Sequence, residues 1–286
     1  MSELYSDLSI FIPTYRRAGR VKTIGFMSKQ ALKVTALVVR PDEYTAYFDA
    51  YSNTVGICCL PTTVTNLSKT RQWILDHAPT RYVMMLDDDL EFHYRPDINS
   101  WNLKKFGLAD GPMFDDMVGR MMAKMQAEGI VHCAVSPVEG NSHYIDERRT
   151  MKWNYGLRYM RAYIFDISVV GHFKYADECS GCEDFELALQ LTEAGHQSVL
   201  TYAYAQTHKA NEKGGLDKAA SVLSHNAAME DLKRRHPDFV RLVPKPRKKD
   251  KLGNVWVDAV ISWKKAYGTC QLLRKSRAMD DGVVYE

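Results

Sequence analysis

The chain has no long apolar run, no second cysteine pair, few glycines and prolines, and almost no net charge. Each shortage removes a class of protein. No stretch approaches the roughly 18 residues that a membrane-spanning helix needs, so no membrane partner is expected. The first residues, MSELYSDLSIFIPTY, show neither a basic region nor a small-residue cleavage site, so no secretory signal is expected. With 17 Gly and 10 Pro in 286 residues there is no collagen repeat and no long low-complexity segment. Six cysteines include one C-x-x-C, Cys179 and Cys182, but no second pair at finger spacing. They are expected to be ordinary reduced thiols in a cytoplasm. A net charge of +3 selects no partner class. Its distribution is less even, because residues 232–251 hold nine Lys or Arg against two Asp. Such a run is usually a solvated tail, the alternative being a contact for a polyanion.

What is present is one large domain's worth of alternating elements. Short apolar runs at 8–15, 34–41, 55–61 and 82–86 read as buried strands. Segments with helical spacing lie between them at 20–32, 42–52 and 66–78, the last with Asn66 or Ser68 as N-cap. This alternation predicts an α/β fold with a mainly parallel sheet covered on both faces, and ligands at the carboxyl ends of its strands. Later, 113–129 reads as an amphipathic helix whose methionines fill a core, and 130–137, 159–170 and 198–208 as strands. Residues 182–196 form a helix with Gly195 at its end, and 216–236 a further helix.

The run YVMMLDDDLEF sets three aspartates against the end of a buried strand. In extended backbone, side chains at i and i+2 share a face, which pairs Asp87 with Asp89 and turns Asp88 away. A solvated acidic turn is the ordinary reading of such a motif. At the ligand-facing rim of an α/β sheet, a seat for a hard divalent ion is favoured instead. Mg²⁺ is held by one or two carboxylates and a substrate's phosphates, which implies a nucleoside diphosphate, and an imidazole ligand tilts the choice toward Mn²⁺. His208, closing a strand before Gly214 and Gly215, is the candidate imidazole, the alternative being a structural histidine.

Four stretches, IFIPTYRR, LSKTRQWIL, MMLDDDLEF and GCEDFELALQLTEAG, together resemble a family 2 glycosyltransferase of the GT-A fold over residues 8 to about 215. The resemblance implies a Rossmann-like, nucleotide-sugar-binding mixed sheet flanked by helices. Residues 1–92 would form the nucleotide half and 93–215 the acceptor half, with 216–286 a helical, basic extension. It implies a sugar nucleotide donor, expected to be a UDP-sugar, and Mn²⁺ or Mg²⁺. Pro13, Thr14, Tyr15 and Arg16 match the loop around the nucleotide, and Asp42 or Glu43 the acid that reads base or ribose. Arg71 matches a basic residue of the nucleotide-side helix, where Gln72 replaces the usual asparagine. Asp88 is implied toward ribose or metal, Asp87 and Asp89 as metal ligands, and His208 as the metal-binding histidine of several members.

The reaction implied is displacement of a nucleoside diphosphate by an acceptor hydroxyl, which needs a base. CEDFE supplies three acids at a helix start, where charge also complements the helix dipole. The resemblance selects Asp184 as base, giving inversion, with Lys213 or Arg71 helping the metal stabilise the diphosphate. Trp153, Tyr155, Arg148 and Arg149 suit sugar or nucleobase stacking, or simply tether their own loop. With the basic stretch they raise a DNA acceptor, as in phage enzymes that glycosylate hydroxymethylated pyrimidines. The alternatives are a glycan- or protein-directed transferase, a nucleotidyltransferase, and a non-catalytic nucleic-acid-binding protein on the same scaffold. PTYRRAGR, with one glycine, counts against nucleotidyl transfer. Intact Asp87, Asp89, Asp184 and His208 count against loss of catalysis.

Overall fold

The computed structural model describes residues 3–97, 102–108, 110–141, 153–155, 159–177, 181–208 and 222–280. Its first third alternates as the sequence predicts: β1 (Leu8–Pro13), α1 (Lys29–Lys33), β2 (Thr35–Val39), α2 (Tyr44–Tyr51), β3 (Gly56–Cys59), α3 (Leu67–His77) and β4 (Tyr82–Leu86). These strands pair in parallel in the order β3-β2-β1-β4. Segment 20–32 is less helical than expected, forming a 3₁₀ turn at Thr23–Phe26 and then the five-residue α1. Asn66 is the N-cap of α3, its side chain accepting from the Lys69 N–H.

Beyond β4 the chain adds β5 (Leu90–Tyr94), β6 (Lys104–Lys105), α4 (Gly111–Glu128), β7 (His132–Pro137), α5 (Val138–Asn141) and β8 (Trp153–Tyr155). Then come β9 (Ala162–Asp166), α6 (Ile167–Val170), α7 (Glu183–Glu193) and β10 (Ser198–His208). They extend the sheet as β4-β9-β7-β10-β5-β6, with β8 also on β10, and most of these pairings are antiparallel. The sheet is therefore mixed, with the parallel half carrying the rim formed by the ends of β1, β2 and β4.

One face is sealed by α1, α2 and α4, and Met117, Met121 and Met125 of α4 are buried there as core filling. The other face packs against α3 and α7 through Ile74, Leu75, Leu187 and Leu191. Gly195 ends α7 in the left-handed region at φ 76°, with His196 N–H reaching Leu191 C=O and Gly195 N–H reaching Thr192 C=O. This is the double-bonded glycine stop that satisfies a helix's last carbonyls.

The extension is not helical throughout. Between α8 (Val222–Arg235) and α9 (Trp263–Asp280) runs an antiparallel hairpin, β11 (Val240–Lys249) and β12 (Val255–Ile261). Pro244 and Pro246 hide it in the sequence, yet a two-stranded ribbon has only edge strands, where proline is tolerated. A third core, with Leu189 of α7, Met229 and Leu232 of α8, Phe239 and Val240, fastens the extension to α7. Among the described residues no helix is long and apolar enough to cross a membrane.

Candidate active site

The aspartate turn sits where β4 leaves the sheet, wrapped by the loop after β1. Thr23 donates its hydroxyl to Asp87 C=O at 2.6 Å and accepts the Leu90 N–H at 3.0 Å. Lys22 N–H bonds Asp88 C=O at 2.9 Å. These contacts fix the turn before any ligand arrives.

The carboxylates do not pair as strand alternation requires. Asp88 and Asp89 share the Arg17 guanidinium, with Nη1 2.5 Å from Asp88 Oδ1 and 2.8 Å from Asp89 Oδ2. Asp87 instead faces Arg71 Nη2 at 3.2 Å. The reason is local: β4 ends at Leu86, Asp88 and Asp89 form a turn, and the two-residue period holds only while backbone stays extended. Asp88 also accepts the Thr14 hydroxyl at 2.6 Å, and the buried Tyr47 hydroxyl holds both Thr14 Oγ1 and Arg17 N–H. Arg17 therefore belongs to the site, although attention to PTYR stopped one residue short. Arg16 is exposed at φ 57°, and its N–H bonds both Glu43 carboxylate oxygens. The Arg16 and Arg40 guanidiniums lie 4.9 and 4.3 Å from the Tyr15 ring centre, beside the half-buried Pro13. Asp42 is exposed on the following turn.

A second knot joins this turn to α7. Arg71, 3% exposed, bonds Glu183 Oε1 at 2.8 Å, Asp184 Oδ1 and Asp87. Tyr163 of β9 donates to the same Asp184 oxygen at 3.2 Å. The three acids of CEDFE thus have separate tasks. Glu183 anchors Arg71 and the Gly181 N–H, and Asp184 faces the rim. Glu186 bonds Gln190 and meets His236 of the extension. Burial pushes Asp184 up to about 7, opposed by Arg71 and reinforced by Glu183 and Asp87. Burial likewise lifts Asp88 to about 6 against the pull of Thr14 and Arg17, and raises Asp87. Gln72 accepts the Tyr175 N–H at 2.9 Å, tying α3 to the segment before α7.

His208 reaches the same rim from the far side of the sheet. Its cross-strand partner on β5 is Leu90, one residue from Asp89. Burial and the Arg161 charge hold its pKa below the ordinary value, so the ring is neutral near pH 7. Its Nδ1 is buried and has no hydrogen-bond partner among the described residues. A neutral imidazole with an orphaned nitrogen beside a carboxylate is a fitting donor for a divalent cation. Among the described residues no three His, Cys, Asp or Glu side chains converge as a closed metal site. Asp89 and His208 would supply two donors, a set that suits a cation shared with a diphosphate. Five acids here (Asp87, Asp88, Asp89, Glu183, Asp184) face the guanidiniums of Arg17, Arg71 and Arg161, an excess of negative charge that suits such an ion.

Trp153 and Tyr155 lie elsewhere. They pair with Thr201 and Val199, seven or more residues back along β10 from His208, roughly 20 Å at a strand's rise. Tyr155 bonds Glu128 and stacks on Tyr267, Lys124 lies over both rings, and both pack against the core. Lys213, Gly214, Gly215, Arg148, Arg149 and Cys179 fall outside the described residues, and Cys182 is buried against the Ala228 carbonyl. Sequence reasoning missed Arg17, Tyr163 and Arg161. The available signal for the last was a lone arginine opening an apolar strand, YMRAYIFD.

The sequence matches the family described as TET-Associated Glycosyltransferase over residues 8–215. Two phage proteins named Beta-glucosyl-HMC-alpha-glucosyl-transferase are similar. That of Enterobacteria phage T2 is 25% identical and that of phage T6 26% identical, each over 82% of this chain and 83% of the relative. Among solved structures, glucosyl-3-phosphoglycerate synthase from Mycobacterium tuberculosis with Mg²⁺ and UDP superposes with a TM-score of 0.51 at 12% identity, covering 89% of this chain and 87% of that one. TarS 1-349 from S. aureus with UDP-GlcNAc gives 0.52 at 12%, covering 81% and 67%. These likenesses establish the GT-A fold. With the match to the family, they make this chain a glycosyltransferase, and it belongs to the TET-associated glycosyltransferase family.

Proposed function

We propose that the enzyme moves a sugar from a UDP-sugar to a hydroxyl on a modified pyrimidine in DNA, with Mn²⁺ or Mg²⁺ at Asp89 and His208. The observation that carries this reading is the convergence, at one rim, of a neutral orphaned imidazole, an acid turn and a half-buried Asp184 held through one oxygen by Arg71 and Tyr163. The cation, when bound, neutralises charge on the donor's diphosphate. Tyr15, Thr14 and the loop pinned by Glu43 frame the nucleotide end. Asp184 takes the acceptor's proton as its oxygen bonds to the anomeric carbon, and the C–O bond to the diphosphate breaks with its electron pair leaving on UDP. A base near 7 is poised for this at neutral pH.

The DNA acceptor draws support from the names of the phage relatives and from the basic hairpin. Arg241, Lys245, Arg247 and Lys248 are exposed on β11, with Lys248 4.1 Å over the Trp256 ring, an arrangement matched to a phosphodiester backbone. Donor and acceptor are both cytoplasmic reagents, and the reaction is assigned to that compartment.

A screen of nucleotide sugars with Mn²⁺ tests the assignment. The acceptors are duplexes bearing cytosine, hydroxymethylcytosine or glucosylated hydroxymethylcytosine. UDP release only with a modified duplex supports it, and release with glycans but no DNA overturns the acceptor. The anomeric configuration of the product tests Asp184 separately. Attack opposite the leaving group inverts an α-linked donor to a β-linked product, whereas the relatives' names specify an alpha-glucosyl product. An α-linked product would favour retention and remove Asp184 as the base.

A further inference from the structure

We infer that Arg161 forms a phosphate subsite that takes the donor's diphosphate and holds it as it leaves, an inference resting on the donor reading above. β9 pairs with β4 so that Ala162 lies opposite Leu86, which sets Arg161 opposite Asp87. The Asp87 N–H bonds Arg161 C=O at 2.8 Å, fixing the residue at the head of the acid turn. Its charge acts on both Asp87 and His208, so the guanidinium is near both the acid turn and the candidate cation donor.

Arg17, Arg71 and Arg161 each have one buried nitrogen without a hydrogen-bond partner among the described residues, but Arg17 and Arg71 bond carboxylates through Nη1, whereas the orphaned atom of Arg161 is Nη1 itself, at the tip of the fork. A buried guanidinium N–H left unpaired is unfavourable, and phosphate is the anion its planar fork fits best. The backbone carries a second cost in the same place. Arg161 has φ 66°, a left-handed conformation that strains any side chain larger than glycine's. An arginine kept where glycine fits better, with its donor unpaired beside the anion-binding rim, is placed for a ligand rather than for folding.

The experiment compares wild type with Arg161→Gly, Arg161→Ala and Arg161→Lys. Calorimetry without acceptor measures affinity for UDP, UMP and uridine at one Mn²⁺ concentration, alongside melting temperature. Arg161→Gly is expected to melt no lower than wild type, because strain is relieved, yet to bind UDP about 10–100-fold more weakly with uridine unchanged. Lysine should recover part of the loss. The same phosphate chemistry could come from the DNA acceptor. In that case UDP affinity would match wild type in all variants, while KM would rise for DNA but not for a free modified nucleoside, and the diphosphate assignment would be overturned. Wild-type protein that bound no UDP would overturn the donor reading itself.

Discussion

Arg71 illustrates how one buried cation organises several acids. Its guanidinium contacts Asp87, Glu183 and Asp184, so replacing it strands three carboxylates around a 3% exposed position. Arg71→Ala is expected to destabilise by about 3–5 kcal/mol, read as a lower urea midpoint. Asp184→Asn should behave oppositely. Glu183 and Asp87 still neutralise Arg71, so the fold and UDP affinity persist while turnover falls about 10²–10⁴-fold. The pH dependence has a definite sign. Asp184 at about 7 lies above its unfolded value near 3.9, so the native state keeps a proton that the unfolded chain has lost. Its contribution to stability is complete below about pH 4 and disappears as pH rises through about 7, and turnover needing the ionised base rises over the upper part of that window. Urea midpoints across pH 4–8 should fall less for Asp184→Asn than for wild type. At this scale the sequence disclosed the acids and the histidine, because carboxylates crowded at a strand end are conspicuous. It concealed Arg17, Tyr163 and Arg161, since a single basic or phenolic residue acquires meaning only from neighbours on other elements, 71 positions away for Arg17 and Asp88 and 21 for Tyr163 and Asp184.

Among the elements, α7 carries most of the coupling between site and scaffold. It presents Asp184 at its first turn, packs Leu187 and Leu191 on the sheet, and stops at Gly195 against α9. A Cβ at Gly195 would lie 3.3 Å from Leu273 Cβ, besides adopting a left-handed conformation. Gly195→Ala should therefore lower stability by about 1–2 kcal/mol, measurable as a drop in melting temperature. The alternating strands and helices up to β4 were legible because each is a short periodic run bounded by turn residues. The Asp87–Asp89 pairing was misread because a strand rule was extended into a turn. The hairpin was unreadable for a related reason: its prolines and lysines mimic a linker, and its partner is itself.

For the whole molecule, the family match ends at residue 215, yet the extension is integral to the described structure. Its core meets Cys182, Phe185 and Leu189 of α7, and His236 lies between Glu186 and Glu193. Burial alone would lower His236, but the two carboxylates hold it above its ordinary value. The helix that carries Asp184 is thus braced from behind by the module that carries the basic ribbon. The triple substitution Arg241→Ala, Arg247→Ala and Lys248→Ala should weaken DNA binding and flatten its salt dependence by roughly one unit of slope for each phosphate no longer neutralised. Turnover on a free modified nucleoside should be unchanged. Equal DNA affinity in the triple variant would remove the ribbon from the acceptor site. The most direct measurement of the whole scheme is UDP affinity by calorimetry, with and without Mn²⁺, in wild type and Asp89→Asn. The expected result is an affinity in wild type that rises at least about tenfold with Mn²⁺, and an Asp89→Asn protein that does not respond. UDP binding equally tight in chelator, or equally responsive in the variant, would contradict the role given to the acid turn.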